Sequence, residues 1–152
     1  MIIDHTDRQI LKVLQADGRL SNVELAERIG LSPSACLRRV RLMEEAGLIA
    51  GSALLLDPKK AGIPGNAFVQ ITLDQQERQT LDAFEAAILR VPEVLACYLL
   101  AGQADYLVHV VFRDTEDLER LHAEILTRLP HVVRIQSTLA LRTVKRTTAL
   151  PV

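Results

Sequence analysis

The chain has 152 residues, 49 % of them apolar and 24 % charged, with a formal net charge of −1. That is room for one ordinary domain or two small ones with a buried core, and too little positive charge for a protein that simply coats nucleic acid by counterion release. No uncharged apolar run reaches the length of about 18–20 residues that spans a bilayer, and the opening "MIIDHTDRQ" lacks the basic and apolar segments of a signal peptide. The expected setting is therefore the cytoplasm, with no membrane partner. Cys36 and Cys97 lie far apart among apolar neighbours, which fits free thiols in a reducing compartment better than a disulfide. His5, His109, His122 and His131 are scattered without metal-ligand spacing. No metal or other cofactor is expected.

Three helices are predicted in the first third. In "DHTDRQILKVLQADG", Ile10, Leu11 and Leu14 form a helical apolar stripe, Asp4 and Asp7 can cap its start, and Gly18 follows as a stop. In "SNVELAERIG", Ser21 and Glu24 have capping-box spacing, Val23, Leu25, Ala26 and Ile29 supply the apolar face, and Gly30 ends the helix. Ser32 then caps a third helix with Pro33 at its first position, where a missing N–H costs nothing. That helix runs to about Ala46 and closes at Gly47. Only "GLS" separates the second and third helices, as in a helix-turn-helix.

On the third helix, Cys36, Val40 and Met43 recur at i, i+4, i+7 and should face the other two. The opposite face carries Ser34, Arg38 and Arg41, with Ala35 and Leu42 at its margins and Ser32 at its start. Small residues at the helix start allow close approach to a DNA groove, and arginine can donate two hydrogen bonds to a guanine edge or bind a phosphate. Arg39 lies between the two faces, suited to a phosphate contact or to an ion pair with Glu24 or Glu27. Three arginines on an isolated helix would ordinarily be solvated charge, with Arg41 paired at i+3 or i+4 to Glu44 or Glu45. The preceding capped helix and tight turn favour binding to double-stranded DNA instead, with Ser32, Ser34, Ala35, Arg38, Arg39 and Arg41 as the expected contacts. Residues 1–56 hold seven acids and seven bases, so any DNA contact must come from a small presented element, repeated by oligomerisation.

"LIAGSALLLDP" reads as an extended connector and "DPKKAGIPG" as a turn-rich loop. The expected division is a DNA-binding domain over 1–50, a connector strand and loop over 51–65, and a ligand-binding and oligomerisation domain over 66–152. In the last of these, "NAFVQITL" alternates as a strand and "RQTLDAFEAAILRV" places Leu81, Phe84 and Ile88 at helical spacing. "VLACYLLAG" and "DYLVHVVF" form two strands about a turn at Gly102, Gln103 and Ala104. "LERLHAEILTRL" repeats the helical stripe with Leu118, Leu121, Ile125 and Leu129, and "VVRIQSTLAL" closes as a strand. The order is β-α-β-β-α-β, which is ferredoxin-like, and the fold class is α+β. "ILRVPEV" and "ILTRLPHV" echo each other at the two helix ends, either as a trace of a duplicated βαβ unit or as coincidence between two proline-terminated helices. Two helices cover one face of such a sheet. The other, bearing Phe68, Leu107 and Val111, needs a partner, which predicts a dimer with higher assembly.

The stretch "DRQILKVLQADGRLSNVELAERIGLSPSACLRRVRLMEEAGLIAG", followed by "LAGQADYLVHV" inside a β-α-β-β-α-β domain, resembles the Lrp/AsnC (feast/famine) bacterial transcriptional regulators from about Asp4 to Leu150. The resemblance implies a homodimer built through the rear domains, often assembled into tetramers, octamers or discs. It also implies a small effector, usually an amino acid, bound between dimers near the Gly102-x-x-Asp105-Tyr106 turn. Carried over to this chain, the effector site would hold Gly102, Gln103, Ala104 and Asp105 from the turn, and Gln136, Ser137, Thr138, Leu139 and Ala140 from the last strand.

The residue types are compatible with that role. Asp105 can accept from an ammonium group, and backbone N–H groups beside Gly102 can hold a carboxylate. Asp105 can equally organise the turn by capping backbone N–H groups. Leu139 and Ala140 leave room for a medium-sized apolar side chain, while Arg134 keeps a charged ligand possible in principle. The expected function is a sequence-specific regulator whose assembly or DNA affinity answers to that effector; the alternative is a ligand-independent architectural DNA-binding protein. An enzyme is not expected, since no Ser-His-Asp or Cys-His arrangement, P-loop or GxGxxG is present, and His109 falls mid-strand.

Overall fold

The computed structural model describes residues 2–152, which divide into two units. One runs to Leu55 and takes in Lys145–Val152, and the other is Leu56–Val144. The tail thus belongs with the helical unit, whereas the sequence pattern assigns it to the rear domain. Its attachment is specific. The Gln15 side-chain amide donates to the Leu150 carbonyl (3.1 Å), and its oxygen accepts from the Leu150 N–H (2.6 Å), so one side chain pairs with both backbone groups of one residue.

In the helical unit, α1 (His5–Ala16), α2 (Asn22–Ile29) and α3 (Pro33–Glu45) form where the caps predict. Asp4 accepts from the Asp7 N–H (2.8 Å) and the Asp7 carboxylate accepts from the Asp4 N–H (3.2 Å), closing a capping box. Ser21 and Glu24 close a second, and Ser32 caps α3 by accepting from Ala35. Gly30 stops α2 at φ +70°, a conformation that side chains with a Cβ rarely adopt. The core is Ile10, Leu11, Leu25, Ala26, Cys36 and Met43, with Val40 packed at its edge. The Asn22 amide donates to the Pro33 carbonyl (2.7 Å), fixing the start of α3 against α2.

Arg39 does not pair with Glu24 or Glu27. Its guanidinium reaches α1, at 2.8 Å from Asp4 and 2.7 Å from Asp7. Hydrogen bonds to these two carboxylates strengthen the guanidinium's hold on its proton. The Asp4 carboxyl is held below its ordinary range, first by the Asp7 N–H and then by Arg39. Because Asp7 is buried, the pair is the electrostatic tie between α1 and α3.

Residues 51–57 have no secondary structure, and among the described residues no strand forms between α3 and Gly65, so the expected connector strand is absent. Leu54, Leu55 and Leu56 along it are exposed.

The second unit is a four-stranded antiparallel sheet in the order β2-β3-β1-β4, formed by β1 (Gly65–Leu73), β2 (Val94–Leu99), β3 (Tyr106–Phe112) and β4 (Val132–Leu139). With α4 (Arg78–Ile88) and α5 (Thr115–Arg120) between strands, this is the predicted ferredoxin-like arrangement. Ala67, Val69, Ile71 and Leu73 of β1 and Tyr106, Val108 and Val110 of β3 meet Phe84, Ile88, Leu121 and Leu126 in one core. Gly65 sits where a Cβ would fall 2.2 Å from the Phe112 ring, so glycine lets that ring lie against the start of β1.

The second helix departs from the regular one predicted. After α5 the chain makes a π turn over Leu121–Ile125 and a 3-10 turn over Leu126–Arg128. Leu121 and Leu126 are both fully buried. Five residues apart on a regular α-helix, they would point about 140° away from each other. The i→i+5 geometry of a π turn returns them to one side. Before this turn, Asp117 binds Arg113 (3.2 Å) and Arg120 (2.8 Å), and Arg120 also reaches Glu93 (2.8 Å). Hydrogen bonds from the Arg113 side chain and N–H, then from Arg120, hold the Asp117 carboxyl well below its usual range. Its stabilisation is present above the ordinary carboxylate pKa and is lost only as pH falls far below it.

The tie between α1 and α3 gives a direct test. Arg39→Ala should lower the melting temperature of the helical unit by several degrees, whereas Arg38→Ala leaves it unchanged. Thermal denaturation followed by far-UV circular dichroism checks both, and adding Asp7→Asn to Arg39→Ala should recover part of the loss.

Candidate DNA-binding helix and effector turn

The outer face of α3 is built by subtraction. Cys36 and Met43 are buried, Arg39 is spent on α1, and Ser34, Leu37, Arg38, Arg41, Leu42 and Glu45 remain exposed around a shallow groove. Among the described residues, neither Arg38 nor Arg41 is ion-paired, although Glu44 and Glu45 lie on the same helix. Both guanidiniums therefore keep their full donor sets for an external acceptor. Ser34 lies within 3.3 Å of the capping hydroxyl of Ser32, and Ala35 is half-buried. Of the six expected DNA-contacting residues, Ser34, Arg38 and Arg41 share the exposed face. Ser32 caps the helix, Ala35 borders the face, and Arg39 is removed from it by Asp4 and Asp7. Leu37 joins the groove, a position that helical spacing beside Arg38 and Arg41 could have supplied.

The turn between β2 and β3 separates into residues that hold it and residues that it presents. Asp105 is buried. One carboxylate oxygen accepts from the Leu73 N–H (2.7 Å) and the other from the Gln76 side-chain amide (2.8 Å). Buried, with each oxygen accepting a hydrogen bond from within the domain, the Asp105 carboxylate organises the turn, the second of the two roles its residue type allows. Tyr106 is buried too, donating to Glu85 (2.7 Å) and packing on Phe84 at 4.5 Å between ring centroids. Burial, then the Glu85 contact, pushes its phenol well up, so it stays protonated. The same region raises the Cys97 thiol to about 11, by burial and then by Glu85, which leaves it unreactive. Gly102 and Gln103 are exposed, and Ala104 is half-buried. A Cβ at Gly102 would meet nothing within 4 Å, and its φ is not positive. Nothing in the chain itself demands glycine there.

The expected β4 residues do not gather at one place. Gln136 and Thr138 pair with Gln70 and Phe68 on the open face, whereas Ser137 and Leu139 pair with Val69 and Ala67, whose side chains are in the core. Ala140 lies past the strand end, donating its N–H to the Asn66 carbonyl. Gln103, Ala104 and Gln136 of the predicted set line one depression, of about 50 Å³, and they share it with Gln70, Thr72 and Arg134. Gln70 and Thr72 escaped the sequence reading because β1 reads as a simple alternating strand.

Beyond this polar end the open face turns apolar. Phe68 stacks on His109 (centroids 4.9 Å apart, planes at 14°), and the His109 ring bonds Asn66 at 2.8 Å. Leu107 and Val111 are half-buried, while Leu95 and Tyr98 on β2 are exposed. Among the described residues no cluster of His, Cys, Asp or Glu could hold a metal, and no helix is long and apolar enough to cross a membrane.

Comparison with known proteins agrees with both units. Residues 3–50 match a winged helix-turn-helix DNA-binding model and residues 66–150 match the Lrp/AsnC ligand binding domain. The leucine-responsive regulatory protein of Salmonella typhimurium is 39 % identical over 148 residues, covering 97 % of this chain and 90 % of that protein. The transcriptional regulator AzlB of Bacillus subtilis is 36 % identical over 152 residues, covering 100 % and 97 %. Among solved structures, a Neisseria meningitidis transcriptional regulator in complex with L-methionine superposes with a TM-score of 0.94 at 39 % identity, covering 99 % of this chain and 97 % of the other. A feast or famine regulatory protein from M. tuberculosis, also complexed with L-methionine, gives 0.85 at 35 % identity, covering 95 % and 96 %. An unpaired arginine face on a capped third helix, a ferredoxin-like rear unit and these matches lead to one conclusion: the chain belongs to the Lrp/AsnC family of DNA-binding transcriptional regulators.

Proposed function

We propose that this regulator reads a specific operator with the Ser34–Arg38–Arg41 face of α3, and that an amino acid bound at the 102–104 turn alters its assembly or its DNA affinity. The observation that carries the DNA reading is the pair of exposed arginines left unpaired on α3, whose third arginine is held by Asp4 and Asp7. Arg38 stands one turn after Ser34, so a helix start close to the base edges brings Arg38 within reach of a guanine. Arg41, near one turn further, suits a phosphate.

The effector reading rests on Gly102, which leaves space that this chain does not fill. It also rests on the two structural neighbours solved with L-methionine. Asp105 and Tyr106 serve this site as positioning residues: their buried contacts keep the short turn rigid while Gly102, Gln103 and Ala104 stay presented.

Assembly follows from the open sheet face. Phe68 and Tyr98 are 42 % and 59 % exposed beside half-buried Leu107 and Val111, an apolar surface that a second copy would cover. We assign the dimer contact to this end of the face, with further association of dimers around the turn.

Three outcomes are expected. Arg38→Ala weakens operator binding by about 1–3 kcal/mol and narrows the gap between operator and unrelated DNA, without changing oligomer size. A salt titration by fluorescence anisotropy reads both effects, and equally steep isotherms on all sequences with the native protein would favour the architectural alternative. Screening the twenty amino acids by thermal shift gives at least one that raises the melting temperature, because a ligand that binds only the folded state stabilises it by mass action, about 2.7 kcal/mol at 100 times Kd. Phe68→Asp shifts sedimentation from dimer or larger species to monomer while the circular dichroism spectrum is retained.

A further inference from the structure

The polar end of the open face is the place where side chains of the second unit converge without using one another. Gln70 and Thr72 of β1, Gln103 of the turn, and Arg134 and Gln136 of β4 line the same depression. Register places Gln70 opposite Gln136 and Thr72 opposite Arg134. Among the described residues, none of these five side chains makes a hydrogen bond or ion pair within the chain. The Asp105 carboxylate, the nearest acid along the turn, is turned inward to Leu73 and Gln76. One guanidinium therefore stands among four neutral polar groups, with no carboxylate in the lining to balance it.

The size of the depression narrows what it accepts. About 50 Å³ holds a carboxylate group or a water or two, and not a whole amino acid. An apolar side chain would find almost no apolar wall here, and a ligand ammonium would find no anionic partner. A carboxylate finds a guanidinium that can bind it with two parallel hydrogen bonds, flanked by amide and hydroxyl donors. The rest of the ligand would lie outside the depression, where another copy of the chain would close over it.

We propose that Arg134 is the specificity-determining residue of the effector site, and that the effector is a dicarboxylic amino acid, aspartate or glutamate, with one carboxylate on Arg134. This rests on the effector reading above and replaces the apolar ligand that Leu139 and Ala140 suggest from sequence, since Leu139 lies on the other side of β4. It also sets this chain apart from the two neighbours solved with L-methionine.

Calorimetry of the full-length protein with L-glutamate, L-aspartate, L-methionine and L-leucine tests it, on the wild type, Arg134→Gln and Arg134→Lys. Arg134 is exposed, so neither substitution threatens the fold. The expected result is that an acidic amino acid binds more tightly than methionine or leucine. Arg134→Gln should weaken it about 10- to 100-fold, and Arg134→Lys less, because lysine keeps the charge and loses the two-pronged geometry. Methionine or leucine binding equally well to wild type and Arg134→Gln, with no acidic ligand bound, overturns the inference and leaves the effector reading standing. Failure of the wild type to bind any of these four, together with no hit among the twenty in the thermal-shift screen, removes that reading and the inference with it. A change in sedimentation of Arg134→Gln without ligand, with ligand affinity unaltered, would assign Arg134 to the contact between copies and also overturn it.

Discussion

A sheet with both crossover helices on one side has one face that its own chain cannot cover, and most of what this regulator does follows from that constraint. The strand order β2-β3-β1-β4 puts Ala67, Val69 and Ile71 under Phe84, Ile88, Leu121 and Leu126, and turns Phe68, Gln70 and Thr72 outward. An uncovered antiparallel face is stable only if it is polar, or if another molecule covers it. Here it is divided. Phe68 and, on the β2-β3 side, His109, Leu107 and Tyr98 are largely apolar, whereas the β1-β4 side carries Gln70, Thr72, Arg134 and Gln136, with Leu107 directly opposite Gln70. A face uniform in either direction would support a tighter dimer or a larger polar site, but not both beside each other.

Both candidate elements separate anchoring from presentation within a few residues. In the turn, Asp105 and Tyr106 are fixed to Leu73, Gln76 and Glu85, and the three residues before them are left outside. On α3, Cys36, Met43 and Arg39 hold the helix to its neighbours, and Ser34, Arg38 and Arg41 are left outside. Preorganisation of this kind lowers the ordering cost of binding, because the presenting backbone is already held in one conformation. It also explains why adjacent arginines differ. Arg38 and Arg39 are about 100° apart on the helix, and that rotation alone takes Arg39 within reach of α1.

What sequence reading recovered is what depends on neighbours a few residues away. The caps at Asp4, Ser21 and Ser32, the stop at Gly30 and the alternation of β1 are all local, and all are present as read. The order of strands and helices followed from the same local signals, as did the outward face of α3. The losses are long-range. Arg39 meets partners 35 and 32 residues away, Gln76 meets Asp105 29 residues away, and Gln15 meets Leu150 135 residues away. No periodicity announces such pairs. The π turn was hidden for another reason: Leu121, Ile125 and Leu129 keep perfect helical spacing, and only the burial of Leu126 shows that the helix is locally widened. At the candidate effector turn, sequence pointed to Gln103, Ala104 and Gln136, which line one depression. The neighbouring strand residues Gln70 and Thr72 became visible only through the register of β1 against β4.

The charge balance connects the open sheet face to the DNA-binding helix. Seven acids and seven bases in residues 1–56 leave the DNA-binding segment neutral, and Arg38 and Arg41 are the unpaired cations on the exposed side of α3. Each phosphate neutralised contributes a salt slope of about −0.9, so a helix bringing only a pair of arginines to the duplex gains little from counterion release alone. Useful affinity then has to come from repetition, with several copies engaging one DNA segment at high effective concentration. Under the proposed assembly, the apolar end of the sheet supplies that repetition, and the polar end beside the turn is placed where a bound effector alters how copies meet. A ligand at this site need not touch the recognition helix to change DNA binding: altering the number or spacing of α3 helices held together changes avidity, while the affinity of each α3 for its half-site stays the same.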